Sequence, residues 1–179
     1  EGGMLAVLGS KIDIIEKIIK DNQNTFVAEI ANDNSVGQIV LSGKNNDLEE
    51  LMKVLKSNSI KSLKLPVSAP FHCKLMNKAT DIMKTEIEKV NFEDGENILI
   101  SNVTADEISN IEDLKSLLIN QIEKRVRWRE SIQNMINKGV NQFIEIGPGK
   151  VLSGLVKRIN KDVKISSINS ESDIESLDI

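Results

Sequence analysis

MLAVLGSKIDIIEKIIKDNQNTFVAEIANDNSVGQIVLSGKNNDLEELMKVLKSNSIKSLKL, residues 4–65, carries the order of elements on which the fold turns. Met4–Leu8 is a short apolar run and predicts a strand. Lys11–Lys20 sets Ile12, Ile15, Ile18 and Ile19 on one helical face, with Ser10 as the expected N-cap. Phe26–Ile30 and Gln38–Leu41 predict strands, separated by a turn-rich Asn32-Asp33-Asn34-Ser35-Val36-Gly37. Asp47–Lys56 returns to helical spacing at Leu48, Leu51, Met52 and Leu55, and Ile60–Leu65 alternates as a strand does. The resulting order, βαββαβ, is that of the ferredoxin-like split motif.

Beyond it the pattern changes. Pro66 and Pro70 bracket a break, after which a long helix is predicted over Cys73–Val90. Ile98–Ser101 predicts a strand, Leu114–Ile122 and Trp128–Lys138 helices, and Gly139 a C-terminal stop. Gln142–Ile146 predicts a strand, Gly147-Pro148-Gly149 a tight turn, Val151–Ile159 a helix and Val163–Ser166 a last strand. Alternating β and α implies a parallel sheet. Three strands make a poor core, so further strands are expected outside the chain. Glu1-Gly2-Gly3-Met4 likewise reads as the interior of a longer protein. Asn169–Ile179 is acidic and serine-rich and is expected to fray.

Composition bounds the function. The 179 residues are 40% hydrophobic but only 3% aromatic, without tyrosine, so the core rests on Ile, Leu, Val and Met. The net charge of −4 points to no nucleic-acid partner. Within residues 4–65 the one aromatic is Phe26, whereas an RNA-reading sheet of this topology needs stacking aromatics. One cysteine, Cys73, excludes an internal disulfide and any multi-cysteine metal site, and fits a reducing cytosol. No apolar run approaches the ~20 residues of a membrane span.

The residues able to carry chemistry are few. His72 is the sole histidine and lies in Pro66-Val67-Ser68-Ala69-Pro70-Phe71-His72-Cys73, a loop leaving a strand and entering a helix. Imidazole there is a candidate general base; a capping or merely exposed histidine is the alternative. Cys73 is no partner for it, because adjacent side chains rarely turn toward each other, and it reads as a small buried residue. Two neighbouring candidate ligands make no metal site. Gly147-Pro148-Gly149 ahead of a helix is either a backbone anion cradle or a plain turn. Lys124, Arg125, Arg127 and Arg129, and again Lys150, Lys157, Arg158 and Lys161, form either a local positive face for an acidic partner or a solvated helix surface.

Set in order, these segments resemble the malonyl-CoA:acyl-carrier-protein transacylase family over about residues 2–169. Glu1-Gly2-Gly3-Met4-Leu5-Ala6 is similar to the family's glycine-rich entry into its small subdomain. The stretch from Asn32 to Gly43 resembles its N-x-N-[SP]-x-G-Q-x-V-[IL]-[SA]-G, and Leu65–Met76 its catalytic-histidine segment. Gln121 and Trp128 match a Gln and Trp seven apart. Phe143–Leu155 is similar to its E-x-G-P-G-x-V-L-x-G-L.

The resemblance implies the C-terminal part of an α/β-hydrolase-like parallel-sheet acyltransferase domain with a ferredoxin-like small subdomain. It divides the chain into 1–66 (small subdomain), 67–168 (acyltransferase subdomain) and 169–179 (acidic tail). It implies transfer of malonyl from malonyl-CoA to the phosphopantetheine thiol of acyl carrier protein in fatty-acid synthesis, in the cytoplasm, through an acyl-serine, without cofactor, metal, nucleic acid or membrane. His72 is implied as the serine's base and Gln121 as the residue whose backbone carbonyl orients it. Phe71 and Asn34 are implied to contact substrate, Phe71 as the residue favouring malonyl over methylmalonyl. The family's serine elbow, its malonyl-binding arginine and its oxyanion loop have no counterpart here; no Gly-x-Ser-x-Gly occurs within residues 1–179. The chain alone is therefore expected to be inactive. A truncated non-catalytic remnant or binding module and a polyketide-synthase-type acyltransferase domain are the alternative readings.

Overall fold

The computed structural model describes residues 1–93 and 95–177. The chain folds as two compact units, Glu1–Ser131 and Ile132–Ile179.

The first unit begins with β1 (Gly2–Leu8), α1 (Ile12–Asp21), β2 (Ala28–Ser35), β3 (Gln38–Lys44), α2 (Asn45–Ser57) and β4 (Lys61–Lys64). The strands form one antiparallel sheet in the order β2-β3-β1-β4, which is the ferredoxin-like arrangement expected. One face carries the core: Leu5, Val7, Ile39 and Leu41 from the sheet meet Ile15 of α1 and Leu48, Leu51 and Leu55 of α2. The spacing that predicted each helix thus supplies the face it buries. The opposite face holds a smaller cluster of Met4, Ala31 and Val40, with Leu65 packed against it.

Several local expectations are corrected. Ser10 does not cap α1; the N-cap is Lys11, without a side-chain bond. Asn32–Ser35 is strand, and only Val36-Gly37 turns. These turn-forming residues stay extended because β3 pairs with them on one side, while on the other Asp33 N–H donates to Val126 O (2.9 Å). The helix expected over Cys73–Val90 is broken. Cys73 is extended, Lys74–Met76 is a 3₁₀ turn, and α3 starts at Asn77 and runs to Lys89. His72, at φ +58, stands in the left-handed region outside the helix. Ile98–Ser101 is not a strand: among the described residues Ile100 makes only an isolated bridge to Glu107. Next come α4 (Ile111–Asn120), capped by the Asn110 side chain on Asp113 N–H, and the start of α5 (Trp128–Asn137).

The second unit contains β5 (Gln142–Ile146), α6 (Val151–Ile159) and β6 (Lys164–Ile168), with β5 and β6 parallel in the register Gln142↔Lys164 to Ile146↔Ile168. The expected βαβ alternation holds with two strands rather than three. Gly147 and Gly149 have positive φ, which the turn between β5 and α6 requires. That turn is not an anion cradle. The Glu145 carboxylate accepts from Leu152 N–H (3.0 Å) and Ser153 N–H (2.7 Å), and Asn169 Oδ1 accepts from Gly149 N–H. The N-terminus of α6 is satisfied from within. The tail does not fray throughout: α7 (Glu171–Glu175) forms behind a Ser170–Asp173 capping box. Residues 178 and 179 of the predicted tail lie outside the described residues.

Candidate active site

The loop from Pro66 to Cys73 is fixed to the ferredoxin-like sheet at three points. Ser42 Oγ on β3 donates to Phe71 O (2.5 Å). Pro70 lies against β1, where a Cβ on Gly2 would come within 2.7 Å of the proline ring, so this position has room only for glycine. Glu29 Oε1 on β2 accepts from Lys74 N–H (3.0 Å). Cys73 is buried, its Sγ donates to Pro70 O (3.1 Å), and burial pushes its thiol pKa up. A thiol so placed is a packing residue with little thiolate character.

These anchors leave the half-buried imidazole of His72 beside Gln121, with Nδ1 2.8 Å from the Gln121 backbone oxygen. A carbonyl only accepts, so Nδ1 carries the proton and Nε2 presents its lone pair. No carboxylate is needed to set this tautomer. The Gln121 side chain has a separate partner: Asn102 Nδ2 donates to its Oε1 (3.0 Å).

His72 lines a cavity of about 490 Å³ whose wall includes Glu16, Ile19, Lys20 and Gln23 of α1, Ala28–Ile30 of β2, and Glu123, Lys124 and Arg125. Phe71, 43% exposed, and Asn34, half-buried at the end of β2, are not part of this wall. His72 and Gln121 are therefore brought together, while Phe71 adjoins them by sequence alone and Asn34 stands apart.

In the first basic cluster the three arginines are ion-paired rather than a free positive face, while Lys124 is exposed. Arg125 pairs with Glu16 (3.0 Å), Arg127 with Glu130, and Arg129 with the buried Asp33 (2.7 Å). Burial raises the Glu130 pKa, but its bond from Arg127 and the charges of Arg127, Arg125 and Arg129 outweigh that and hold it below the usual range. Asn102, Ser42, Glu29 and Asp33 were not singled out in the sequence. Each acts on a partner 19 to 96 residues away, and no local pattern marks such pairs.

The ferredoxin-like sheet and the parallel βαβ unit make a mixed α/β fold, and the solved structures similar to it are acyltransferases. Along its length the chain is similar to the C-terminal portion of the malonyl CoA-acyl carrier protein transacylases. It is 39% identical over 177 residues to the malonyl CoA-acyl carrier protein transacylase of Bacillus subtilis, covering 98% of this chain and 56% of that protein. The Staphylococcus aureus protein of the same description is 39% identical over 176 residues, covering 97% and 57%. Among solved structures, the Bartonella henselae acyl-carrier-protein S-malonyltransferase superposes with a TM-score of 0.93 at 41% identity, covering 98% of this chain and 56% of that one. The Clostridium perfringens transacylase gives 0.91 at 40%, covering 98% and 55%. A malonyl-transacylase solved in complex with a type II PKS acyl-carrier protein gives 0.92 at 30%, covering 98% and 57%. No family model matches the chain. The chain spans a little over half the length of the curated relatives it matches. No helix among the described residues is long and apolar enough to cross a membrane.

Proposed function

We propose that these residues form the histidine-bearing part of an [acyl-carrier-protein] S-malonyltransferase of fatty-acid synthesis, acting in the cytoplasm. The observation that carries the proposal is the 2.8 Å contact from His72 Nδ1 to the Gln121 carbonyl, which frees Nε2 to act as a base. No Gly-x-Ser-x-Gly occurs within residues 1–179, so the nucleophile comes from outside them. His72 Nε2 takes the serine proton as Oγ attacks the thioester carbonyl of malonyl-CoA, and returns it to the departing CoA sulfur. In the second half the phosphopantetheine thiol of acyl carrier protein gives its proton to Nε2 and attacks the acyl-serine. The serine oxygen then leaves and recovers that proton. Phe71 and Asn34 contact the substrate in this scheme, on the strength of the family motifs alone. Residues 1–66 form the small subdomain, 67–168 part of the acyltransferase subdomain, and 169–179 the tail. The names of the relatives, and the acyl-carrier complex among the solved structures, support this choice of substrate and partner.

The test is a chimaera in which the stretch of the Bacillus subtilis protein that this chain does not match is fused ahead of residue 1. The chimaera is expected to move labelled malonyl from malonyl-CoA to acyl carrier protein, and the 179-residue chain alone to form no malonyl adduct. A folded chimaera that transfers nothing, or a stoichiometric adduct on the chain alone, contradicts the proposal.

A further inference from the structure

We propose that Asn102 is a positioning residue for His72, holding the segment from Gln121 to Arg127 so that the Gln121 carbonyl meets Nδ1. The proposal rests on the reading of His72 as the base. Gln121 stands at the C-terminal end of α4 with helical φ and ψ, where the last carbonyls have no intrahelical partner. Such a carbonyl keeps a fixed aim only if the chain around it is held.

Asn102 holds that chain at both ends. Its Nδ2 donates to Gln121 Oε1 (3.0 Å), and its backbone oxygen accepts from Arg127 N–H (2.9 Å). The grip is itself anchored. Ser101 and Ala105, on either side, are 5% and 0% exposed. Ala105 N–H donates to Ser101 O (2.8 Å), Val103 N–H to Ser101 Oγ (3.1 Å), and Arg127 Nη1 to Thr104 O (3.0 Å). The far side of the segment is tied to β2, where Val126 N–H donates to Ala31 O and Asp33 N–H to Val126 O. The segment carrying the carbonyl that faces His72 is therefore held in part by a bond between two side chains.

The test reads the imidazole directly. His72 is the sole histidine, so long-range ¹H–¹⁵N spectra of the chain report its tautomer without ambiguity. The wild-type chain is expected to hold the Nδ1–H form. Asn102→Ala and Gln121→Ala each remove the same side-chain bond, and each should lower the ratio of Nδ1–H to Nε2–H by roughly three- to tenfold, the worth of one hydrogen bond. The double variant should fall no further than either single one. Asn102→Asp should restore the wild-type ratio, because the Gln121 amide can turn its NH₂ toward the new carboxylate. A role in folding alone would not give this pattern. An unchanged ratio in a folded Asn102→Ala chain overturns the proposal, as does a double variant that falls by the product of the singles. Should Asn102→Ala unfold, Gln121→Ala decides alone, since it leaves the bond from Arg127 to Asn102 in place. Loss of the base reading would appear elsewhere, as undiminished transfer by His72→Ala in the chimaera.

Discussion

Replacing Arg129 with methionine isolates the contact that most sharply separates a docking surface from a buried ion pair. Arg129 Nε lies 3.1 and 3.0 Å from the two Asp33 oxygens, and Nη2 lies 2.7 Å from Oδ2. The Asp33 side chain is 1% exposed and that of Arg129 31%. Methionine keeps the apolar stem of the side chain and removes every donor, leaving a carboxylate in the interior without its cation. Breaking a buried pair from one side costs about 3–5 kcal/mol. Water reaching the partly exposed guanidinium screens the pair, so the lower end applies, about 3 kcal/mol. With a urea dependence of ~1–3 kcal/mol per molar, the midpoint should fall by about 1–3 M. Trp128, the only tryptophan, adjoins Arg129 and reports the transition by fluorescence. Asp33→Val combined with Arg129→Met removes both charges and should return to within about 1 kcal/mol of the parent, because a well-packed apolar pair replaces a buried ionic one at little cost. A single variant that loses less than about 1 kcal/mol, or a double variant that loses the sum of the two singles, refutes the account of this pair.

Three further outcomes follow from the same structure. A Cβ on Gly43 would meet Val27 O at 2.9 Å, so Gly43→Ala should push β3 off β2 and cost about 1–3 kcal/mol in urea unfolding; an unshifted midpoint contradicts this packing. Bonds from Ser153, its side chain first and then its N–H, with those of Leu152 and Val151, hold the Glu145 carboxyl pKa below the usual range. A depressed carboxyl stabilises the fold above its unfolded value and loses that contribution as pH falls through the folded one. The thermal midpoint should therefore drop on acidification, and Glu145→Gln should flatten that drop; parallel pH profiles would contradict it. In the chimaera, Phe71→Ser should raise methylmalonyl use relative to malonyl, by at most the ~10–200-fold that one methyl group is worth; identical ratios in a competition assay remove Phe71 from specificity.

The ferredoxin-like unit was legible because its signal is local. Ile12, Ile15, Ile18 and Ile19 in α1, and Leu48, Leu51 and Leu55 in α2, repeat at helical spacing and pack against the core they predict. What could not be read depends on distant partners. Asn32–Ser35 has turn-forming residues, yet the strand continues because Val126 bonds to it from more than ninety residues away. Arg125 and Arg129 looked like surface charge because Glu16 and Asp33, which neutralise them, are 109 and 96 positions distant. Glu145 caps a helix starting six residues later, a reach that no capping-box spacing covers. His72 was singled out as the sole histidine on a loop, and the structure adds what the loop's residues alone could not specify. Its left-handed backbone turns the imidazole out of the coming helix, and Gln121, 49 positions on, meets Nδ1. Gln121 was anticipated through the family motif; Asn102, which bonds its side chain, had no sequence signal.

The most direct measurement of the central claim is malonyl transfer by the chimaera with and without the imidazole of His72. His72→Ala should keep the fold, as read by the Trp128 emission and the urea midpoint. It should lower the rate of malonyl movement from malonyl-CoA to acyl carrier protein by ~10²–10⁴-fold, the usual contribution of a positioned general base. A folded His72→Ala chimaera that turns over at the parent rate would show that the contact between His72 and Gln121 is only structural, and that the base lies elsewhere.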